Sequence, residues 1–160
     1  MDKLFEKIDS YNIFNYFIPG AIIFECLALF GSVPRITDIL SRLVVYYFIG
    51  LTVSRIGSMV FDKLFEKLGW IEKSDYANYV KACESDEKIE LFVEIANMYR
   101  TIYVGALVCL VATFVSLRTE ASGLAILQTR ISLAFAAVLF FFSYRKQSNY
   151  VNKRVKIQTK

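Results

Sequence analysis

Apolar residues gather along this chain into four long runs parted by charged stretches. A bilayer span needs ~20 apolar residues at 1.5 Å of rise each, so runs of this length predict membrane-crossing helices. The spans read as residues 13–33, 43–61, 101–117 and 121–144. The third holds no charge, the second holds Arg55 and the fourth Arg130. The uncharged part of the fourth, Ile131 to Tyr144, is short alone; adding Ala121 to Gln128 restores the length and places Arg130 inside it.

The expected fold is all-α: a polytopic membrane protein of four transmembrane helices, with a cytoplasmic helical insertion between the second and third. Residues 1–61 would hold an amphipathic N-terminal segment and a first transmembrane hairpin. Residues 62–100 would be the insertion, 101–144 a second hairpin and 145–160 a basic tail. Within the insertion, Ser74-Asp75 and Ser85-Asp86 read as helix starts. The second of these helices should run on into the third span. Its apolar face, Ile89, Phe92, Val93, Ala96 and Tyr99, offers packing to Trp70, Tyr76 and Tyr79.

Composition agrees. The 160 residues are 56% hydrophobic with mean hydropathy +0.43, against about 45–50% apolar in soluble domains. Of the 19 Lys and Arg, only Arg35, Arg42, Arg118 and Arg130 flank the spans on one side, Arg55 lies within a span, and the rest fall on the other side. Positive charge marks the cytoplasmic face, so both termini are expected in the cytoplasm. A cleaved secretory leader is the competing reading of the N-terminus. Against it, Asp2, Glu6 and Asp9 offset Lys3 and Lys7, the apolar run is longer than a leader core, and no A-x-A site ends it.

Residues 2–9 carry Leu4, Phe5 and Ile8 at helical spacing, either a short helix on the inner membrane surface or a polar lead-in to the first span. The hexapeptide Asp-Lys-Leu-Phe-Glu-Lys at 2–7 recurs at 62–67, and both copies abut a span on the cytoplasmic side. No larger repeat surrounds them, so they read as shared interface chemistry.

The chemistry centres on Glu25, a carboxylate inside the first apolar run. A charge there is costly and should face protein or water. Pro19 and Gly20 precede it and predict a kink or helix break acting as a hinge. Beyond them Ala21, Glu25, Ala28 and Ser32 recur on one helical face, a small, singly acidic stripe suited to a pore, a vestibule or a close helix contact. The second span carries Gly50, Ser54 and Ser58 with Gly57 beside them, a small-residue face for helix packing. By helical rise Glu25 lies ~18 Å and Arg55 ~9 Å from the same boundary. A direct bond between them requires tilt or a break. Otherwise Arg55 snorkels to the boundary or meets an acid there such as Asp62 or Glu94. Glu25 is then left without an obvious cationic partner, which favours water or a symmetry-related site.

Catalysis is not expected. The chain has no His and none of the phosphate-loop, dinucleotide, nucleophile-elbow or zinc-protease motifs. An intramembrane aspartyl enzyme needs two facing carboxylates, and the spans supply one. No metal or cofactor is implied. Cys26 and Cys109 lie in spans and Cys83 in the insertion, which is not a disulfide framework. The tail after Tyr144 is basic and free of acids. It reads as a positive-inside anchor or as a site for phosphates of nucleic acid or lipid. Lys63, Lys67, Arg100, Lys153 and Arg154 are the candidate residues for a cytoplasmic ligand.

The run YNIFNYFIPG at 11–20, SRIGS at 54–58 and NMYR at 97–100 together resemble a group of small bacterial membrane proteins encoded in antiphage defence loci, the channel effectors of the Hailong system among them. The resemblance implies a homotetramer forming an ion channel with an electronegative membrane vestibule, which Glu25 would fit. It also implies a partner nucleotidyltransferase whose single-stranded DNA oligomer holds the channel shut until infection. Depolarisation of the cell would follow release. The alternative is a membrane-anchored sensor or scaffold that recruits a cytoplasmic defence partner.

Overall fold

A computed structural model describes residues 12–30, 32–115 and 123–159. The chain is an all-α, polytopic membrane protein, with no strand among the described residues. Among the described residues, three helices are long and apolar enough to cross a membrane: Ile39–Lys67, Lys88–Val115 and Gly123–Gln158. A shorter apolar helical stretch, Ile13–Leu29, packs beside them. The amphipathic segment 2–9, the first hexapeptide copy and the start of the expected fourth span at 121–122 lie outside the described residues.

The first stretch opens as a π-helix, Ile13–Phe17, and continues as α1, Ile18–Leu29. Of the kink or break expected at Pro19-Gly20, a break is not found; the chain stays helical through both residues. A proline ring crowds the carbonyl four residues back, here that of Asn15. The wider π turn lies there, and the Ile18 N–H reaches back to the Ile13 carbonyl. Gly20 serves close approach: a Cβ on it would sit 1.8 Å from the Tyr46 carbonyl oxygen. Gly50 answers from the facing helix, where a Cβ would sit 1.8 Å from the Tyr16 carbonyl oxygen. Small residues thus let two backbones touch, the packing mode of helices in lipid.

The second apolar helix begins as α2, Ile39–Ile56, capped by Asp38, whose carboxylate accepts the Ser41 N–H at 2.7 Å. A second π-helix, Gly57–Phe61, leads into α3, Asp62–Lys67. Residues 62–100, the expected insertion, supply α4, Tyr76–Ser85, capped by Asp75. Then α5, Lys88–Val115, runs unbroken from the insertion into the apolar bundle, as its capping sequence predicts. The last helix, α6, spans Gly123–Gln158, so the basic residues after Tyr144 continue it.

The main core lies where α1, α2, α5 and α6 meet, around Ile23, Val53, Tyr103, Val104, Cys109 and Tyr144, and extends to Phe65 and Ile71. A satellite core of Ala82, Ile89 and Val155 ties α4 and the end of α6 to α5. Trp70 does not join it: its ring stacks on Phe65 at 5.5 Å and meets Phe141 edge-on at 5.7 Å. The apolar stretch of α6 is turned outward, with only 6% of it buried within the chain. Such a surface in water would be costly, and lipid or further protein removes that cost.

Candidate functional site

Two polar clusters lie at opposite ends of the apolar bundle. The first corrects the expectation that Glu25 lacks a cationic partner. Its Oε1 accepts from Arg42 Nη2 and from the Tyr46 hydroxyl. Arg42 Nε in turn donates to the Tyr46 oxygen at 3.0 Å, and its guanidinium lies 5.7 Å from that ring's centre. Arg42 and Tyr46 are one turn apart on α2 because Asp38 starts the helix before Arg42. The expected span began at residue 43 and left Arg42 in the flank. Phe17 and Phe24 pack edge-on or tilted against Tyr46 at 5.9 and 5.5 Å and hold the ring in place.

The Ala21-Glu25-Ala28 face therefore turns toward α2 of the same chain. Ala28 is buried with Phe24 and Tyr46, and Ala21 packs at the edge of that cluster. Ser32 does not extend the stripe: α1 ends at Leu29, and the Ser32 N–H caps the Leu27 carbonyl at 3.0 Å from the turn that follows. Glu25 and Arg42 sit at the rim, with side chains 47% and 37% exposed. They open onto a recess of about 500 Å³ that Arg35 and Thr37 also line. Tyr46 stands about 24 Å of helical rise from Asp62, so the pair lies toward the loop end of the bundle.

The small-residue face of α2 is likewise internal. Ser54 is buried, and Gly57 leaves room for Arg100, whose Cγ would lie 3.2 Å from a Cβ there. Ser58 donates to the Arg55 carbonyl at 3.0 Å. Arg55 itself is exposed, and Asp62 takes other partners.

Those partners form the second cluster, at the insertion end. Asp62 is 2% exposed. Its Oδ2 accepts from Arg100 Nη1 at 2.8 Å and Lys73 Nζ at 2.9 Å, and its Oδ1 from the Tyr144 hydroxyl at 2.6 Å. Four segments of chain converge on this one carboxylate: α3, the loop before α4, α5 and α6. A buried carboxylate needs such compensation, because desolvating an unpaired charge costs several kcal/mol. Burial penalises the Lys73 ammonium, but bonds to Glu66 (2.8 Å) and Asp62 outweigh this and raise its pKa above the ordinary lysine value. No spacing rule could have found this node, since its members lie 38 and 82 residues apart. Above it opens a cavity of about 300 Å³, lined by Tyr79, Val93, Asn97 and Arg100 among others.

Of the candidate ligand residues, Arg100 is buried against Asp62. Arg154 donates to Asp86 and to Tyr150, and its guanidinium lies 5.3 Å from the Phe92 ring centre. Lys63, Lys67 and Lys153 are exposed. Arg130, expected inside the fourth span, donates to the Thr113 carbonyl at 2.8 Å and its hydroxyl at 3.1 Å, and stacks 3.9 Å over Phe114. It thereby ties α6 to the Thr113–Phe114 stretch of α5. Among the described residues no group of His, Cys, Asp and Glu could hold a metal ion.

Comparison with protein-family models, with curated proteins and with solved structures finds no match for this chain.

Proposed function

We propose that this chain is an ion-channel effector of a bacterial inner membrane, crossing it four times with both termini cytoplasmic and acting as a symmetric oligomer. The observation that carries the reading is the Glu25–Arg42 pair, partly open on the outside of a single chain beside the exposed Leu29, Leu40 and Leu43. Lipid does not solvate an ion pair well, so such a pair belongs against water or a neighbouring subunit. Repeated about an axis, it would line a vestibule of mixed charge, with Arg35 beside it, in place of the purely electronegative one that Glu25 alone would give. The core between the helices is filled by Ile23, Tyr103 and Val104, so a conducting path would run between chains and not through one.

The role in antiphage defence, the tetramer and the inhibitory DNA oligomer made by a nucleotidyltransferase rest on the sequence resemblance. Lys63, Lys67 and Lys153 are the exposed cations suited to such a ligand. Planar-bilayer recording of the purified protein tests the channel. A current whose selectivity changes in Glu25→Ala is expected; no current, or a current indifferent to that substitution, sinks the reading.

The second reading is a membrane-anchored sensor or scaffold, favoured by the cavity above Asp62. It predicts a neutral Glu25→Ala and loss of function when the insertion surface is altered.

A further inference from the structure

A groove separate from both clusters lies on the outer side of α6, at the insertion end. It encloses about 250 Å³ between Gly69–Trp70 and the helix face carrying Arg145, Asn149, Lys153 and Lys156. Among the described residues, Glu72 is the one carboxylate in its lining, and it is neutralised in place. Its Oε2 accepts from Lys156 Nζ at 2.9 Å and from Asn152 Nδ2 at 3.1 Å. Asn152 is buried and held in turn by Ser74. Arg145 is exposed and lines the groove, and its Nε donates to the Trp70 carbonyl at 3.0 Å, which holds the guanidinium there. Lys153 is exposed above it. The surplus of the groove is therefore the positive charge of Arg145 and Lys153.

The position identifies the ligand. Trp70 is 44% exposed and rests on Phe65 and Phe141, where the apolar part of α6 ends. An indole at that level is an interfacial anchor. Arg145, Asn149 and Lys153 share one helical face, and the same face continues into the apolar part as Phe142, Val138 and Phe135, all exposed. A polar, cationic pocket thus stands directly above an exposed apolar stripe. Arg145 and Lys153 are ~12 Å apart by rise, and a lysine stem can fold its ammonium back toward the headgroup layer.

We propose that this groove binds the phosphate of an anionic phospholipid, held by Arg145, Asn149 and Lys153, with an acyl chain along Val138 and Phe142. Lys156 contributes indirectly, by cancelling Glu72. The site requires only that α6 cross the bilayer, and stands whether or not the chain conducts ions.

Native mass spectrometry of the full chain released from detergent tests it. Phosphatidylglycerol and phosphatidylcholine with matched acyl chains are the probes, with inorganic phosphate and a short single-stranded DNA as competitors. Retention of phosphatidylglycerol over phosphatidylcholine is expected, falling about fivefold for each of Arg145→Gln and Lys153→Gln. The pair Lys81→Gln and Lys88→Gln, on exposed cations outside the groove, should leave it unchanged. Equal retention of the two lipids, or full retention by the Arg145→Gln/Lys153→Gln double variant, overturns the proposal. Displacement of the lipid by equimolar phosphate or DNA also overturns it, by assigning the groove to a soluble phosphate ligand. Melting of the double variant at the parent temperature would show that any loss is not one of fold.

Discussion

Asp62 ties four segments of the chain to one carboxylate. It is buried, it accepts from two cations and a tyrosine, and it joins the insertion to the apolar helices. Removing it leaves Arg100 buried with Gly57 and α5 around it and no counter-charge at Nη1. Breaking a buried pair in this way costs about 3–5 kcal/mol. Asp62→Ala is therefore expected to melt well below the parent in detergent, and a midpoint within a degree or two of the parent would contradict the node. Glu25 makes a different case: its pair with Arg42 is partly open, so Glu25→Ala should change conduction while sparing the fold.

At the scale of elements, the insertion is held by α6 as much as by α5. Val155 packs against Ala82 and Ile89, and Arg154 reaches Asp86 at the start of α5. The Arg154 guanidinium holds the Asp86 carboxyl below its ordinary value. A depressed carboxylate stabilises the fold fully above the unfolded aspartate value of about 3.9 and loses that contribution as pH falls through the folded value. The melting difference between parent and Asp86→Asn, read from the single Trp70, should thus hold constant from pH 7 to about 4.5 and shrink below about 4. A difference that grows on acidification would overturn the sign. The pairing of α1 with α2 obeys another rule, since Gly20 and Gly50 bring the two backbones together. A small-xxx-small series seen in sequence announces such a contact without naming the partner, and here the partner is the same chain.

For the whole molecule the decisive surface is the exterior. The outer face of α6, with Leu127, Ile131, Phe135 and Val138 exposed, is apolar throughout the bundle's height, while Glu25 and Arg42 are open at the loop end. Lipid satisfies the first and not the second. Native mass spectrometry from lipid nanodiscs should accordingly report a closed oligomer, with four copies as the count the resemblance implies. A monomer alone would remove the axis that the vestibule needs.

Hydropathy by itself determined that the chain is helical and belongs in a membrane, because a bilayer allows only helices or closed barrels and the apolar runs have helical length. Capping chemistry at Asp75 and Asp86 likewise marked the insertion's helices, since a cap is satisfied within a few residues of itself. Side-chain partners were another matter. Which cation meets Glu25 turned on where α2 begins, and the fate of Asp62 turned on residues far along the chain coming to one level. The small stripe around Glu25 was visible as a pattern, yet its direction, toward α2 with only the carboxylate at the rim, depended on helix packing. Local preference and solvent set the elements; the meeting of distant charges in a medium that tolerates none unpaired was decided by the tertiary structure.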